Sequence, residues 1–326
     1  MTAHISDKIP LLVLVGPTAV GKSNLSLNIA SNLKIDIISA DSAQVYRRLN
    51  IGTAKPFPEE QELITHHLID LVDPDQDYSV ADYQKDADTV IRQLWKDGKI
   101  PFMVGGTGLY IKAVTDRYAF GSKGSNRKLR SSYERLAQVE GLDKLYDMLK
   151  SVDPTAASKI HANDQRRIFR ALEVYATEGE QISMQTTRTN RQESPYKTII
   201  FGINCDRNLL YRRIEKRVDK MIEQGFLDEV KDLYNAGYNE NTPGMQILGY
   251  RQLLAYLRNK LSWDDAVDEI KKQTRNLAKR QLTWFRREDR IEWIEIYGGL
   301  TEDNISEIIC RKVKDITLKR ENSSIT

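Results

Sequence analysis

A chain of 326 residues with 40% apolar and 29% charged residues can build one large domain or two modest ones with solvated surfaces. Its formal net charge of +3 permits a nucleic-acid partner without requiring one. Cys205 and Cys310 are its only cysteines, which excludes a disulfide framework or a structural zinc site, and no apolar run approaches the ~20 residues that span a bilayer.

Met1 to Lys8 lacks a signal-peptide profile, so a reducing cytoplasm is the expected setting. The first apolar run, Leu11–Val15, leads into Gly16-Pro17-Thr18-Ala19-Val20-Gly21-Lys22-Ser23, which spells G-x-x-x-x-G-K-S. A strand entering such a turn and a helix leaving it at about Lys22 converge backbone N–H groups and the positive helix end on an anion. Lys22 would reach the outer phosphate and Ser23 could hold Mg2+. The pattern predicts a bound diphosphate or triphosphate; being shared with ATP-binding proteins, it does not say which.

The second strand is expected at Ile35–Ser39, followed by Ala40-Asp41-Ser42-Ala43-Gln44. Ligands of an open α/β sheet bind beyond the carboxyl ends of its strands, so Asp41 would project into the crevice of the phosphate loop. A carboxylate there can accept a proton or help hold Mg2+; taken alone, it suits a turn or helix cap slightly better. His66 and His67 are adjacent and have no third ligand spaced for a metal, and they read as structural or as part of a loop around the site. A helix is predicted over Ala81–Asp97 and a third strand over Pro101–Val104, ending in Gly105-Gly106-Thr107-Gly108. Those glycines admit close approach to the backbone, and Thr107 offers the only hydroxyl among them.

The segment 121–194 is polar and helix-forming, with candidate helices at Leu129–Glu140, Leu142–Leu149, Pro154–Ile160 and Asp164–Thr177. It reads as a helical insertion between strands of one sheet. Strands follow at Thr198–Ile203 and Ile291–Ile296. Between them lie helices at Asn208–Gln224, closed by Gly225, and Leu227–Ala236, closed by Gly237, then Tyr250–Arg258, Ser262–Lys272 and Thr274–Arg287. The tail Lys319–Thr326 is polar and expected to fray. The expected fold is α/β, a P-loop NTPase-like, mostly parallel sheet flanked by helices. Residues 1–120 and 195–326 would form the core with its C-terminal helices, and 121–194 the insertion.

Basic residues gather in three places: Arg166, Arg167 and Arg170; Arg212, Arg213 and Arg217; and Arg275, Lys279, Arg280, Arg286 and Arg287 around Trp284-Phe285. Arg213 and Arg217 share a helix face at i,i+4. Cations interleaved with aromatics suit phosphate contact and base stacking, which favours a polyanionic substrate.

In combination these segments resemble the tRNA dimethylallyltransferase (tRNA isopentenyltransferase) family, bacterial type, over nearly the whole chain. The resemblance is carried by Gly16–Ser23, Asp41–Tyr46, Asn50–Pro56, His66–Asp70, Gly105–Tyr110, Asp164–Arg167, Ile247–Arg251 and Lys279–Trp284. It implies transfer of a dimethylallyl group from dimethylallyl diphosphate to N6 of the adenosine 3′-adjacent to the anticodon in tRNA, with Mg2+ as cofactor. It implies a catalytic set of Asp41 as general base, Thr107 at the target nucleotide, and Arg213 and Arg217, with Lys22, neutralising the leaving diphosphate. Gly16, Pro17, Thr18, Ala19, Val20, Gly21, Lys22 and Ser23 would cradle that diphosphate, with Ser23 linked to Mg2+. Asp41, Ser42, Ala43, Gln44, Thr107, Gln165, Arg166, Arg167, Ile168 and Phe169 match stretches that touch the tRNA anticodon stem-loop. Arg130 matches another such contact, with its spacing from Thr107 shifted by one residue. A cytoplasmic monomer of bacterial type, without the zinc-finger extension of some eukaryotic members, is expected. The two other readings of the same residues are a P-loop phosphotransferase acting from ATP and a prenyltransferase acting on free adenine nucleotides.

Overall fold

The computed structural model describes residues 8–120, 126–191, 193–296 and 301–321. In its first half, β1 (Ile9–Val15), α1 (Lys22–Leu33), β2 (Ile37–Ala40), α2 (Pro58–Leu63), β3 (His66–His67), α3 (Val80–Lys96), β4 (Phe102–Gly105) and α4 (Gly108–Thr115) alternate. A helical run follows: α5 (Arg127–Glu140), α6 (Leu142–Val152), α7 (Pro154–Ala157), α8 (Gln165–Glu178) and α9 (Ile182–Arg191). The chain then returns through β5 (Tyr196–Cys205), α10 (Arg207–Glu223), α11 (Phe226–Asn235), α12 (Tyr250–Leu257), α13 (Trp263–Phe285), β6 (Ile291–Ile296) and α14 (Glu302–Glu321).

The six strands form one sheet in the order β3-β2-β4-β1-β5-β6, with every pairing parallel. All seven residues of β1 are buried, as a central strand covered on both faces requires. Leu12, Leu14, Phe102 and Phe201 share one face with Leu25 and Ile29 of α1, Ile214 of α10 and Ile305 and Ile309 of α14. Because β4 lies between β2 and β1, the chain's direction across the sheet reverses beside β1. The turns after β1 and β4 therefore meet at the switch point where such sheets take ligands.

The chain divides into two compact units, Met1–Ile111 with Pro195–Thr326, and Lys112–Ser194. The second has its own core, in which Tyr133, Leu145, Leu149, Ile168, Phe169 and Leu172 pack together. Asp153 links its helices by accepting from the Ala156 and Ser183 N–H groups, at 2.9 and 3.0 Å.

Several elements depart from the sequence expectation for local reasons. Strand β2 begins at Ile37 because the Ile35 N–H turns back to the Ala30 carbonyl, closing α1 behind a left-handed Lys34. His66 and His67 form a two-residue edge strand, too short to leave a periodic pattern. Their rings face the Ile64 carbonyl and the Asp36 carboxylate, at 2.8 and 3.1 Å. Helix α13 is continuous where a break at Gln273 was expected; the Thr274 hydroxyl folds back onto the Ile270 carbonyl, at 2.7 Å, so its polar group does not interrupt the helix. Helix α14 was not foreseen, and of the expected frayed tail, residues 322–326 lie outside the described residues. Among the described residues no helix is long and apolar enough to cross a membrane.

Gly105 ends β4 where a Cβ would lie 2.1 Å from the Ala40 carbonyl oxygen, a backbone atom that cannot move aside. Gly105→Ala should lower unfolding stability by about 3 kcal/mol, read as a shift in the urea midpoint at unchanged slope.

Candidate active site

Strand β1 delivers the chain into a phosphate-type loop whose backbone only small residues allow. A Cβ at Gly16 would meet the Ile203 carbonyl oxygen at 2.5 Å. Ala19 and Gly21 both take positive φ, 63° and 110°, which turns successive N–H groups toward the inside of the loop. Gly21 caps α1 without any side-chain hydrogen bond, and the first turn of α1 holds no acidic residue. The positive end of this helix is thus left uncompensated by its own sequence. Lys22 curls over the loop and donates to the Pro17 carbonyl at 2.7 Å, while Arg213 of α10 donates to the Val20 carbonyl at 2.8 Å. Ser23 is exposed in the first turn of α1.

The charges here are mutually dependent. Burial, and after it the positive field of Arg217, together pull the Lys22 ammonium from 10.5 down to about 7 against the opposing influence of Asp41. Arg217 is also depressed by burial and supported by Asp41. Asp41 therefore lies within electrostatic reach of both cations, as the site requires. Burial raises the phenols of Tyr83 and Tyr110 first, and Asp41 adds to both shifts. Those two rings stack at 4.0 Å between centroids, with the Tyr83 hydroxyl donating to the Ser39 carbonyl at 3.0 Å.

Asp41 is oriented locally. Its Oδ1 accepts the Ala43 N–H at 2.8 Å, a turn that leaves Oδ2 for other partners. Thr107 ties the neighbouring strand end to the same turn: its N–H donates to the Ala40 carbonyl at 3.1 Å, and its Oγ1 accepts the Ser42 N–H at 3.0 Å. The Gln44 amide is engaged within the fold. Its Oε1 accepts from the Ser39 hydroxyl at 2.8 Å, and its Nε2 donates to the Ala54 carbonyl at 3.1 Å. The buried Lys55 ammonium braces that second loop through Tyr46, Asn50 and Asp70, at 2.9, 3.0 and 2.6 Å. From α11, Glu229 accepts the N–H groups of Asn50, Ile51 and Gly52.

Sequence reasoning missed Gln281. Its side chain reaches from α13 to both the phosphate loop and the Gly105–Gly108 turn, because the stretch Lys279–Trp284 was read for its cations and aromatics. The i,i+3 spacing of Gln281 and Trp284 was the available signal. Trp284 lies against Gly108, where a Cβ would meet its Cδ1 at 2.2 Å, yet the residue stays 38% exposed. Arg275, counted among the candidate RNA contacts, is instead paired with Glu215 of α10 at 2.7 Å.

In the helical unit, Gln165, Arg166 and Arg167 are exposed at the start of α8, which Asp164 caps through the Arg167 N–H. Ile168 and Phe169, of the same stretch, are 0% and 2% exposed and pack the unit's core, since helical periodicity turns these two positions inward. Arg130 is half-exposed on α5.

A family model described as "IPP transferase" matches residues 44–288, and one described as "Isopentenyl transferase" matches residues 9–75. The chain is 47% identical to a tRNA dimethylallyltransferase of Natranaerobius thermophilus, over 98% of this chain and 95% of that protein. It is 49% identical to the one from Carboxydothermus hydrogenoformans, over 91% and 96%. Among solved structures, it resembles the full-length tRNA isopentenylpyrophosphate transferase of Bacillus halodurans, with TM-score 0.70 and 37% identity over 96% of this chain and 100% of that one. It also resembles a eukaryotic dimethylallyltransferase acting on tRNA, with TM-score 0.73 and 31% identity over 88% and 74%.

With its pKa lowered from 10.5 to about 7, Lys22 is mostly uncharged at pH 8, and a bound anion would restore its charge. Binding of inorganic diphosphate should therefore take up a proton at pH 8 beyond what the ligand's own titration supplies, with the excess vanishing below pH 6. Calorimetry in buffers of different ionisation enthalpy measures this, and Lys22→Arg, whose guanidinium stays charged, should abolish the excess.

Proposed function

The chain belongs to the IPP transferase family of tRNA dimethylallyltransferases, and we propose that it moves a dimethylallyl group from dimethylallyl diphosphate to N6 of the adenosine 3′-adjacent to the anticodon in tRNA, releasing diphosphate. The observation that carries this reading is geometric: the phosphate loop, which Lys22 and Arg213 hold through its carbonyls, lies on the same sheet edge as the Asp41 turn, to which the Thr107 hydroxyl is bonded.

In the proposed reaction the C1–O bond of the allylic diphosphate breaks, its electron pair leaves with the diphosphate, and the N6 lone pair forms the new C–N bond. An exocyclic adenine amine is a weak nucleophile, so the barrier falls chiefly through stabilising charge on the departing group. The loop Gly16–Ser23, Lys22, Arg213 and Arg217 supply that stabilisation. As the C–N bond forms, the amine becomes acidic and passes a proton to Asp41, which needs no raised affinity for it. Thr107 suits a hydrogen bond to the incoming nucleotide. A base stacked in a loop must swing out to reach such a crevice, and the exposed Gln165, Arg166 and Arg167, with Arg130, are suited to grip the surrounding RNA.

Mg2+ fits as a companion of the substrate. Among the described residues no three acidic, histidine or cysteine side chains converge as a metal site, whereas Mg2+ commonly binds through one or two protein ligands plus phosphate oxygens. Ser23 would hold it, and when bound it would add positive charge at the diphosphate. The residues 112–194 are proposed as the tRNA-binding unit of a monomeric, cytoplasmic enzyme.

Incubation with labelled dimethylallyl diphosphate and an anticodon stem-loop should label the RNA; label arriving only from ATP, or only on free AMP, would refute the reading. Asp41→Asn should lower kcat by roughly 10²- to 10⁴-fold with stem-loop affinity retained. Arg167→Ala should leave kcat at saturating RNA near wild type while weakening binding and reducing the slope of log K against log salt by about one.

A further inference from the structure

Helix α13 ends in a side chain that touches two parts of the site at once. Gln281 Oε1 accepts the Thr18 N–H at 2.8 Å, and its Nε2 donates to the Gly106 carbonyl at 3.0 Å. We infer that Gln281 is a positioning residue for prenyl transfer, whose amide sets the spacing between the anion-binding loop and the turn that carries Thr107. The inference rests on the functional reading above.

The geometry asks for an amide. One end must accept and the other must donate, and among side chains of this length only glutamine offers both; glutamate lacks the donor and methionine lacks both partners. Gly106 provides a second, independent observation. Its φ lies outside the left-handed region, so backbone conformation does not demand glycine there. Space bears on it: a Cβ would sit 2.3 Å from Gln281 Nε2, so any side chain at 106 would push the amide end out of its place, while the Gly16 carbonyl, at 3.7 Å, would be in ordinary contact. The absent side chain at 106 is what lets the amide enter.

The helix behind Gln281 is also held firmly. Lys271 pairs with Asp219 and Arg275 with Glu215, at 2.6 and 2.7 Å, both on α10. Helix α10 in turn carries Arg217 and Arg213, and Arg213 donates to the Val20 carbonyl. Gln281 thus completes a frame in which the cations, the anion loop and the Thr107 turn share one support. The reaction needs the allylic carbon and the amine in line, and misplacement by about 1 Å can cost a factor of about 100.

The experiment compares Gln281→Met, Gln281→Glu, Gly106→Ala and the double variant Gly106→Ala/Gln281→Met. In each, kcat should fall roughly 10- to 100-fold, with dissociation constants for the stem-loop and for inorganic diphosphate within about threefold of wild type. The double variant should be no slower than the worse single one, because both substitutions remove the same clamp. Without any substrate, hydrogen exchange at the Thr18 amide should quicken about tenfold in Gln281→Met while exchange in β1 and β4 stays unchanged. Wild-type kcat in Gln281→Met, multiplicative losses in the double variant, or a loss confined to stem-loop affinity would each overturn the inference while leaving the function intact. A wild-type protein that fails to prenylate RNA would overturn the functional reading, and this inference with it.

Discussion

Positive charge held in a crevice without enough water is the constraint around which this molecule is arranged. Lys22 and Arg217 are both weakened as cations by burial, and each is supported by the same carboxylate, Asp41. A buried charge persists only where something opposite compensates it. Asp41 supplies part of that compensation to both, and Lys22 also donates to the Pro17 carbonyl; an anion seated on the loop would add to it.

The rest of the fold keeps these groups within reach of one another. A parallel sheet brings all its strand carboxyl ends to one edge, and the position of β4 between β1 and β2 sets the anion loop beside the turns bearing Asp41 and Thr107. Glycines at 16, 105 and 106 remove side chains that would strike the Ile203 carbonyl, the Ala40 carbonyl and the Gln281 amide respectively. Behind them, helices α10 and α13 are joined by two ion pairs and act together. Individual exposed pairs contribute little, but these connect elements that already carry the arginines and Gln281.

Support also comes from the loop that follows the Asp41 turn. Glu229 gathers three N–H groups of the Asn50–Gly52 loop, Lys55 closes the same loop from within, and Gln44 joins it to the end of β2. Within the segments singled out by sequence, Ile168 and Phe169 pack a core while Arg167 beside them is exposed.

The sequence by itself determined the architecture and the anion loop, since these rest on local signals: apolar runs of strand length, helix periodicity, and glycines at the spacing a phosphate turn demands. It also singled out Asp41, Thr107, Arg213 and Arg217, because strand ends and an i,i+4 face can be read along the chain. Only the tertiary structure decided which of these groups feel one another, because the field between Asp41, Lys22 and Arg217 depends on distances and burial that no spacing encodes. It alone revealed Gln281, whose partners Thr18 and Gly106 are remote in sequence, and β3, whose two residues leave no pattern. It showed Arg275 paired across to Glu215 on another helix, a partner that spacing along the chain does not reveal.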